Sequence, residues 1–114
     1  MLNQIVLVGR LTREVTVHKS DKGVKVATIP LAIPRSFKNA EGTYDTDFID
    51  CVAFDNIAEN TSEYVNKGDI VGIKGRIQSK VVEKEGKKTN ELDIICEKIT
   101  FLSSKPKDEE ETDE

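Results

Sequence analysis

Tryptophan is absent from this chain, histidine occurs once and cysteine twice, and each scarcity removes a class of chemistry. The single histidine, His18, excludes His-rich metal sites and leaves imidazole acid–base catalysis without a partner set. It is read as a structural or surface residue. Cys51 and Cys96 are far apart and form no C-x-x-C, so neither a disulfide framework nor a four-ligand zinc site follows. They are read as buried thiols acting as small hydrophobes. No apolar run approaches the roughly 20 residues that span a bilayer. The start, MLNQIVLVGR, has neither a basic n-region nor an A-x-A-like cleavage site, so no signal peptide is expected and a cytoplasmic location follows. A phosphate-cradling glycine loop is missing too, because Gly72 and Gly75 lie inside a strand pattern. Carboxylates are numerous but scattered, and no Ser–His–Asp set can be assembled. None of these patterns points to a catalytic set, a cofactor or a metal site.

What remains is a small domain with 37% apolar and 33% charged residues among 114. A chain this short buries a modest fraction of its surface, so an oligomer interface would add stability. The net charge of -4 is unevenly placed. Residues 105–114, KPKDEEETDE, hold six acids and two bases, which leaves fifteen of each in the body. The body is neutral, and the tail, opened by Pro106, has no apolar residue to offset its ordering entropy, so it is expected to be disordered.

The pattern along the chain predicts five strands and one helix. Leu2–Val8 is a strand that ends near Gly9 and continues as Arg13–Lys19 after a bend or bulge. Val24–Ile33 is the second strand, with Pro30 and Pro34 demanding a bulge or a one-sided pairing. Asp47–Phe54 is the third. Ile57, Ala58, Thr61, Tyr64 and Val65 then recur at helical spacing. Asn56 and Glu59 resemble a capping box, and Gly68 suits the left-handed position after the helix. The fourth strand runs to Lys84, Glu85-Gly86-Lys87 turns it, and Asn90–Leu102 is the last. Strand, strand, strand, helix, strand, strand is the order of the OB-fold, an all-β architecture with one helix and a five-stranded Greek-key barrel, whose face binds oligonucleotides or oligosaccharides.

Three stretches carry functional weight. In DIVGIKGRIQSKVVEK (69–84), alternate positions place Val71, Ile73 and Ile77 on one side and Lys74, Arg76, Lys80 and Lys84 on the other. A row of cations on a sheet calls for a polyanion; Lys87 and Lys88 add to it at the hairpin tip. In the third strand Ile49, Cys51 and Ala53 should be core, which turns Phe48, Asp50, Val52 and Phe54 outward. That outward face is either a platform for stacking nucleobases or a face packed on another subunit. Arg35-Ser36-Phe37-Lys38 sets a ring between cations, as suits single-stranded nucleic acid.

MLNQIVLVGRLT, VATIPLAIPRSFKN, DFIDCVAF and AENTSEYVNKGDIVGIKGRIQSK, in that order, resemble the bacterial single-stranded-DNA-binding family over about residues 1–104. The resemblance implies a non-catalytic OB-fold domain (1–104), a homotetramer, and single-stranded DNA wrapped around it in replication, recombination and repair. It places stacking rings at Phe37, Phe48 and Phe54, a basic contact at Lys67 and a polar or basic one at Arg10. With Arg35, Lys38, Lys74, Arg76, Lys80, Lys84 and Lys87 these make the expected nucleic-acid contacts.

The chain departs from the family pattern at four places. Val82 stands where an aromatic is usual on the fourth strand. Asp55 and Asn56 stand where basic residues are common, and Asp50 shares the face of Phe48 and Phe54. The end, EEETDE, lacks the short apolar tip that recruits replication and repair proteins, so that partnership is not expected here. The acidic run is instead expected to compete with DNA for the basic face as a tethered polyanion. An RNA-binding module and a protein-interaction module remain the alternatives.

Overall fold

The structure, a computed structural model, describes residues 1–103. The expected acidic tail at 105–114 lies outside them. Seven elements follow one another: β1 (Ile5–Leu11), β2 (Val17–Lys19), β3 (Lys25–Lys38), β4 (Tyr44–Phe54), α1 (Asp55–Tyr64), β5 (Ile70–Lys84) and β6 (Lys87–Ser103). The sheet order is β1-β5-β6-β4-β3-β2, and a further β1–β3 pairing closes five of the strands into a ring. This is the five-stranded barrel with one helix that the element order predicts. The short β2 lies on the edge of β3; of the Arg13–Lys19 continuation expected for the first strand only Val17–Lys19 is strand, and residues 13–16 are not.

Closure depends on β1 changing partner. Ile5 to Arg10 pair with Gly75 to Ile70 of β5, while Arg10 and Leu11 pair with Ala32 and Leu31 of β3. Inward positions then alternate along each strand. Leu11, Ile29, Leu31, Cys51, Ala53, Val71 and Ile73 fill the barrel, and Ala58 and Val65 pack onto it from α1 and the loop after it. The Cys51 and Cys96 thiols are buried, which pushes Cys51 up to about 12 and Cys96 to about 11. They are core atoms, not nucleophiles.

The prolines of the second strand fall where its pairing is one-sided or shifted, as expected. A residue in a strand points its N–H and C=O to the same edge. The Pro30 carbonyl accepts the Thr12 N–H at 3.1 Å, so its missing donor faces the same edge, just past the last β1–β3 pair, Leu11 with Leu31, and short of the β2 pairing. The register shift begins at Pro34 and ends at Lys38. Strand β3 runs on through this bulge, so Arg35–Lys38 is strand and not the loop after it.

The capping box does not form. The Phe54 backbone, extended at φ -125°, is the N-cap and makes no side-chain cap bond. Asp55 turns at φ 56°, so α1 starts on the last residue of β4 and leaves Asn56 inside it. Glu59 is taken by Lys25, 2.8 Å away. Gly68 is left-handed at φ 95°, but in the turn leading to β5 and not directly at the helix end, where Val65 N–H caps Thr61 O.

Candidate nucleic-acid interface

The pleat of β4 sends Tyr44, Thr46, Phe48, Asp50, Val52 and Phe54 to one face, because Ile49, Cys51 and Ala53 are drawn into the core. Phe48 is 75% exposed, Tyr44 57% and Phe54 38%. At a strand rise of about 3.4 Å per residue, Tyr44 and Phe48 stand about 14 Å apart and Phe48 and Phe54 about 20 Å. The register across β3 adds Lys38 opposite Tyr44, Ala32 opposite Phe48 and Val26 opposite Phe54. One strand further, Arg10 pairs with Ala32, so Arg10 lies in the same cross-strand row as Phe48. Its guanidinium is anchored on the Gly68 carbonyl at 2.7 Å, beside Lys67. The backbone N–H of Lys67 is in turn held by Glu14, 2.9 Å away. Asp50, the acid expected to repel phosphate here, lies 3.9 Å from Arg13.

A cleft of about 680 Å³ runs beside this face, lined by Phe48 and Val52 on one wall and by Ile77 and Leu92 of the β5–β6 ribbon on the other. That ribbon is an arm. Beyond Ile77 its two strands pair only with each other, out to Lys84 opposite Lys87, and Glu85 and Gly86 turn it with φ 50° and 79°. Two successive positive φ values make the tight turn that matches strand twist.

The basic stripe does not share the ring face. Ile77 turns toward the cleft, so the alternate residues Lys74, Arg76, Lys80 and Lys84 lie on the other surface of β5. Two of them already hold acids of β6. Arg76 donates to Glu97 at 2.8 Å, and Lys80 is 3.4 Å from Asp93. Lys74, Lys84 and Lys87 have no ion pair among the described residues. Arg35 is likewise engaged, donating to Asp47 at 2.9 Å with Asp45 at 3.7 Å, on the face of β4 away from the rings. The hydrogen bond to Asp47 raises Arg35 above its ordinary value, and the same bond holds the Asp47 carboxyl below its own. The Arg35–Lys38 run is thus split: Lys38 goes to the ring face, Arg35 to the opposite one, and Phe37 is exposed in the bulge between them.

Two features escape the sequence pattern. Tyr44 continues the Phe48–Phe54 alternation toward the hairpin tip, a signal visible once the strand is started three residues earlier. The carboxylates that meet Arg76 and Lys80 follow from the hairpin register, which needs the turn to be two residues. His18 is exposed on β2, and no group of acids, cysteines and histidine able to hold a metal occurs among the described residues. Among the same residues no helix is long and apolar enough to cross a membrane.

The model of the Single-strand binding protein family matches residues 2–102. Single-stranded DNA-binding protein 1 of Staphylococcus aureus is 42% identical over 106 residues, which cover 92% of this chain and 64% of the relative. Single-stranded DNA-binding protein 3 of Listeria innocua is also 42% identical over 106 residues, covering 92% and 66%. The chain therefore spans about two thirds of these relatives' length. The crystal structure of wild-type single-stranded DNA binding protein from Thermus aquaticus superposes with a TM-score of 0.77 at 25% identity, covering 90% of this chain and 50% of that one.

Proposed function

The chain belongs to the Single-strand binding protein family, and from that membership and the ring face we propose that it binds single-stranded DNA independently of sequence. The observation that carries the reading is the outward face of β4, where Phe48 and Phe54 stand exposed on a rigid, core-backed sheet with Arg10 in the Phe48 row. Unpaired bases have free π-faces and stack on such rings; duplex bases do not. Phosphates are met by Arg10, Lys38, Lys67, Lys84 and Lys87, with Arg35, Arg76 and Lys80 available after exchange of their acids; Lys74, opposite Val6, lines instead the outer groove of β1, β5 and β6. The role is protection of exposed strands in replication, recombination and repair, in the cytoplasm, by binding and not by catalysis.

The protein acts as a homotetramer in this reading. Val6, Val8 and Leu102 are exposed around a groove of about 320 Å³ on the outer wall of β1, β5 and β6, an apolar surface that a second copy would cover.

Fluorescence anisotropy of a labelled oligo-dT of about 35 nucleotides tests the reading, run at several salt concentrations beside duplex DNA and RNA. Tight binding to the single strand, weak binding to duplex and a marked loss in Phe54→Ala are expected. The same samples sedimented should run at four times the 12.7 kDa chain mass. Absence of binding at low salt would leave the fold to protein contacts, a reading that the acid-held Arg35, Arg76 and Lys80 favour. Preference for RNA over DNA would move the substrate to RNA.

A further inference from the structure

Between Ile70 and Thr100 the β5–β6 ribbon contains no aromatic residue. Phe101 lies at the other end, opposite Val71, and is packed against Tyr64 of α1 with ring centroids 6.2 Å apart. The arm therefore offers no ring to a base. Every exposed ring outside that pair (Phe37, Tyr44, Phe48 and Phe54) lies on the β3–β4 ribbon.

Tyr44 is the outermost of these on β4. It occupies the Phe48 face by strand alternation, is more than half exposed, and sits opposite Lys38, whose ammonium lies 5.8 Å from the ring centroid. An ammonium at that distance is held by the ring's negative face and leaves its remaining donors to solvent. The hairpin tip is also well ordered by its own bonds. Asn39 Oδ1 accepts the Glu41 and Thr43 N–H groups at 2.9 and 3.1 Å, and its amide donates to Thr43 Oγ1 at 2.9 Å and to Asp45 at 3.1 Å. Gly42 supplies the left-handed residue, φ 86°, that this turn requires. The hairpin backbone that carries ring and cation is thus braced before any ligand arrives.

We propose that Tyr44, with Lys38 beside it, is a base-stacking and phosphate-binding station at the tip of the β3–β4 ribbon, so that the single strand tracks along this ribbon and takes its outermost base there. The inference rests on the single-strand reading above and adds a residue and a direction to it. A ring at Tyr44 supplies at the hairpin tip what Val82 does not supply on the arm.

The two tyrosines and the lack of tryptophan make a direct test available. In Tyr64→Phe, Tyr44 is the only tyrosine, and the Phe101 contact keeps a ring. That protein is titrated with end-labelled oligo-dT of about 35 nucleotides, with tyrosine emission and label anisotropy read in parallel. Emission should fall in step with the anisotropy rise. Tyr44→Ala should weaken binding on the order of tenfold, while Tyr44→Phe stays near the parent. Binding by anisotropy with unchanged tyrosine emission, or Tyr44→Ala binding like the parent, would overturn the station and leave the function standing. No anisotropy change at low salt would remove both.

Discussion

Two long antiparallel ribbons leave the same barrel, β3–β4 and β5–β6, and each alternates one kind of side chain with another. On β3–β4 three of the six outward positions of β4 are rings, and nothing within the described residues covers Phe48. On β5–β6 one face of β5 carries four cations, and the neighbouring strand answers two of them with Glu97 and Asp93. An exposed cation can be matched from within the chain by a carboxylate one strand away, at little gain, since such pairs contribute only about 0.2–1 kcal/mol. Phe48 has no such partner within the described residues, and Tyr44, with the Lys38 ammonium 5.8 Å from its centroid, still leaves its ring more than half exposed to a ligand. Alternation alone therefore marks a face, and the cross-strand register decides whether the face is still available.

The largest effect should come from the base of the arm. The β5–β6 register slips between Lys74 and Gly75, with Glu97 as the extra residue on β6. A Cβ on Gly75 would run into the Ile95 carbonyl oxygen. The obstacle is backbone, so the strand must move and the buried Ile95 and Cys96 with it. Gly75→Ala is expected to lose stability at the upper end of the roughly 1–3 kcal/mol of overpacked cores, or beyond it. A urea midpoint equal to the parent's would show that the bulge yields freely and that the arm is not rigidly seated.

One ring set against two cations tests the contrast between the ribbons. Phe48→Ala should weaken oligo-dT binding by about 1–3 kcal/mol, roughly 5–150-fold; that is the range for stacking in single-strand-binding proteins as a class, not one taken from this structure. Lys84 and Lys87 face each other at the arm tip, a repulsion that an anion would relieve. Replacing both by alanine should cost less at physiological salt. It should instead flatten the salt dependence, by about 0.7 in the log–log slope for each phosphate that is no longer neutralised. Equal losses for the ring and the lysine pair at physiological salt would invert the ranking of the two ribbons.

The barrel is readable from the chain because it is written in periods. Ile49, Cys51 and Ala53, or Val71 and Ile73, declare a core face whatever their partners, and the helical spacing of Ile57, Ala58, Thr61 and Val65 places α1. The errors share a cause in partnership. Arg76 and Lys80 read as a free stripe because a three-residue turn, Glu85-Gly86-Lys87, leaves the register of β6 undefined. A turn of two residues puts Lys84 on Lys87 and Lys80 on Glu91, with Asp93 on the diagonal. Asn56 and Glu59 read as a capping pair because nothing local says that Asp55 turns left-handed and that Lys25, 34 residues away in sequence, reaches Glu59. Tyr44 escapes notice because the Gly42 turn lies close to it, so that the strand pattern begins only at Asp47. The ring residues Phe37, Phe48 and Phe54 need no partner to be seen.

The smallest effect should come from the acid on the reverse side of the ring ribbon. Asp47 ties Arg35 of β3 to β4 at the root of the hairpin, and its carboxyl is held below the ordinary carboxylate value of 3.8 chiefly by the Arg35 hydrogen bond. A depressed folded-state value means that the native protein holds the charged form more tightly than the unfolded chain does. The stabilisation is thus fully present above the unfolded carboxylate range and is lost as pH falls through the lower folded value. Arg35 stays protonated throughout, so the window is set by Asp47 alone. Thermal melts of the parent and of Asp47→Asn should differ slightly and by a constant amount from pH 7 to pH 5, and converge below about pH 4. A gap that persists to pH 2 would assign the bond's worth to geometry and not to charge. Because Arg35 faces away from Phe48, the same variant should change oligo-dT affinity far less than Phe48→Ala does. A comparable change would bring the reverse face of the ribbon into the binding track.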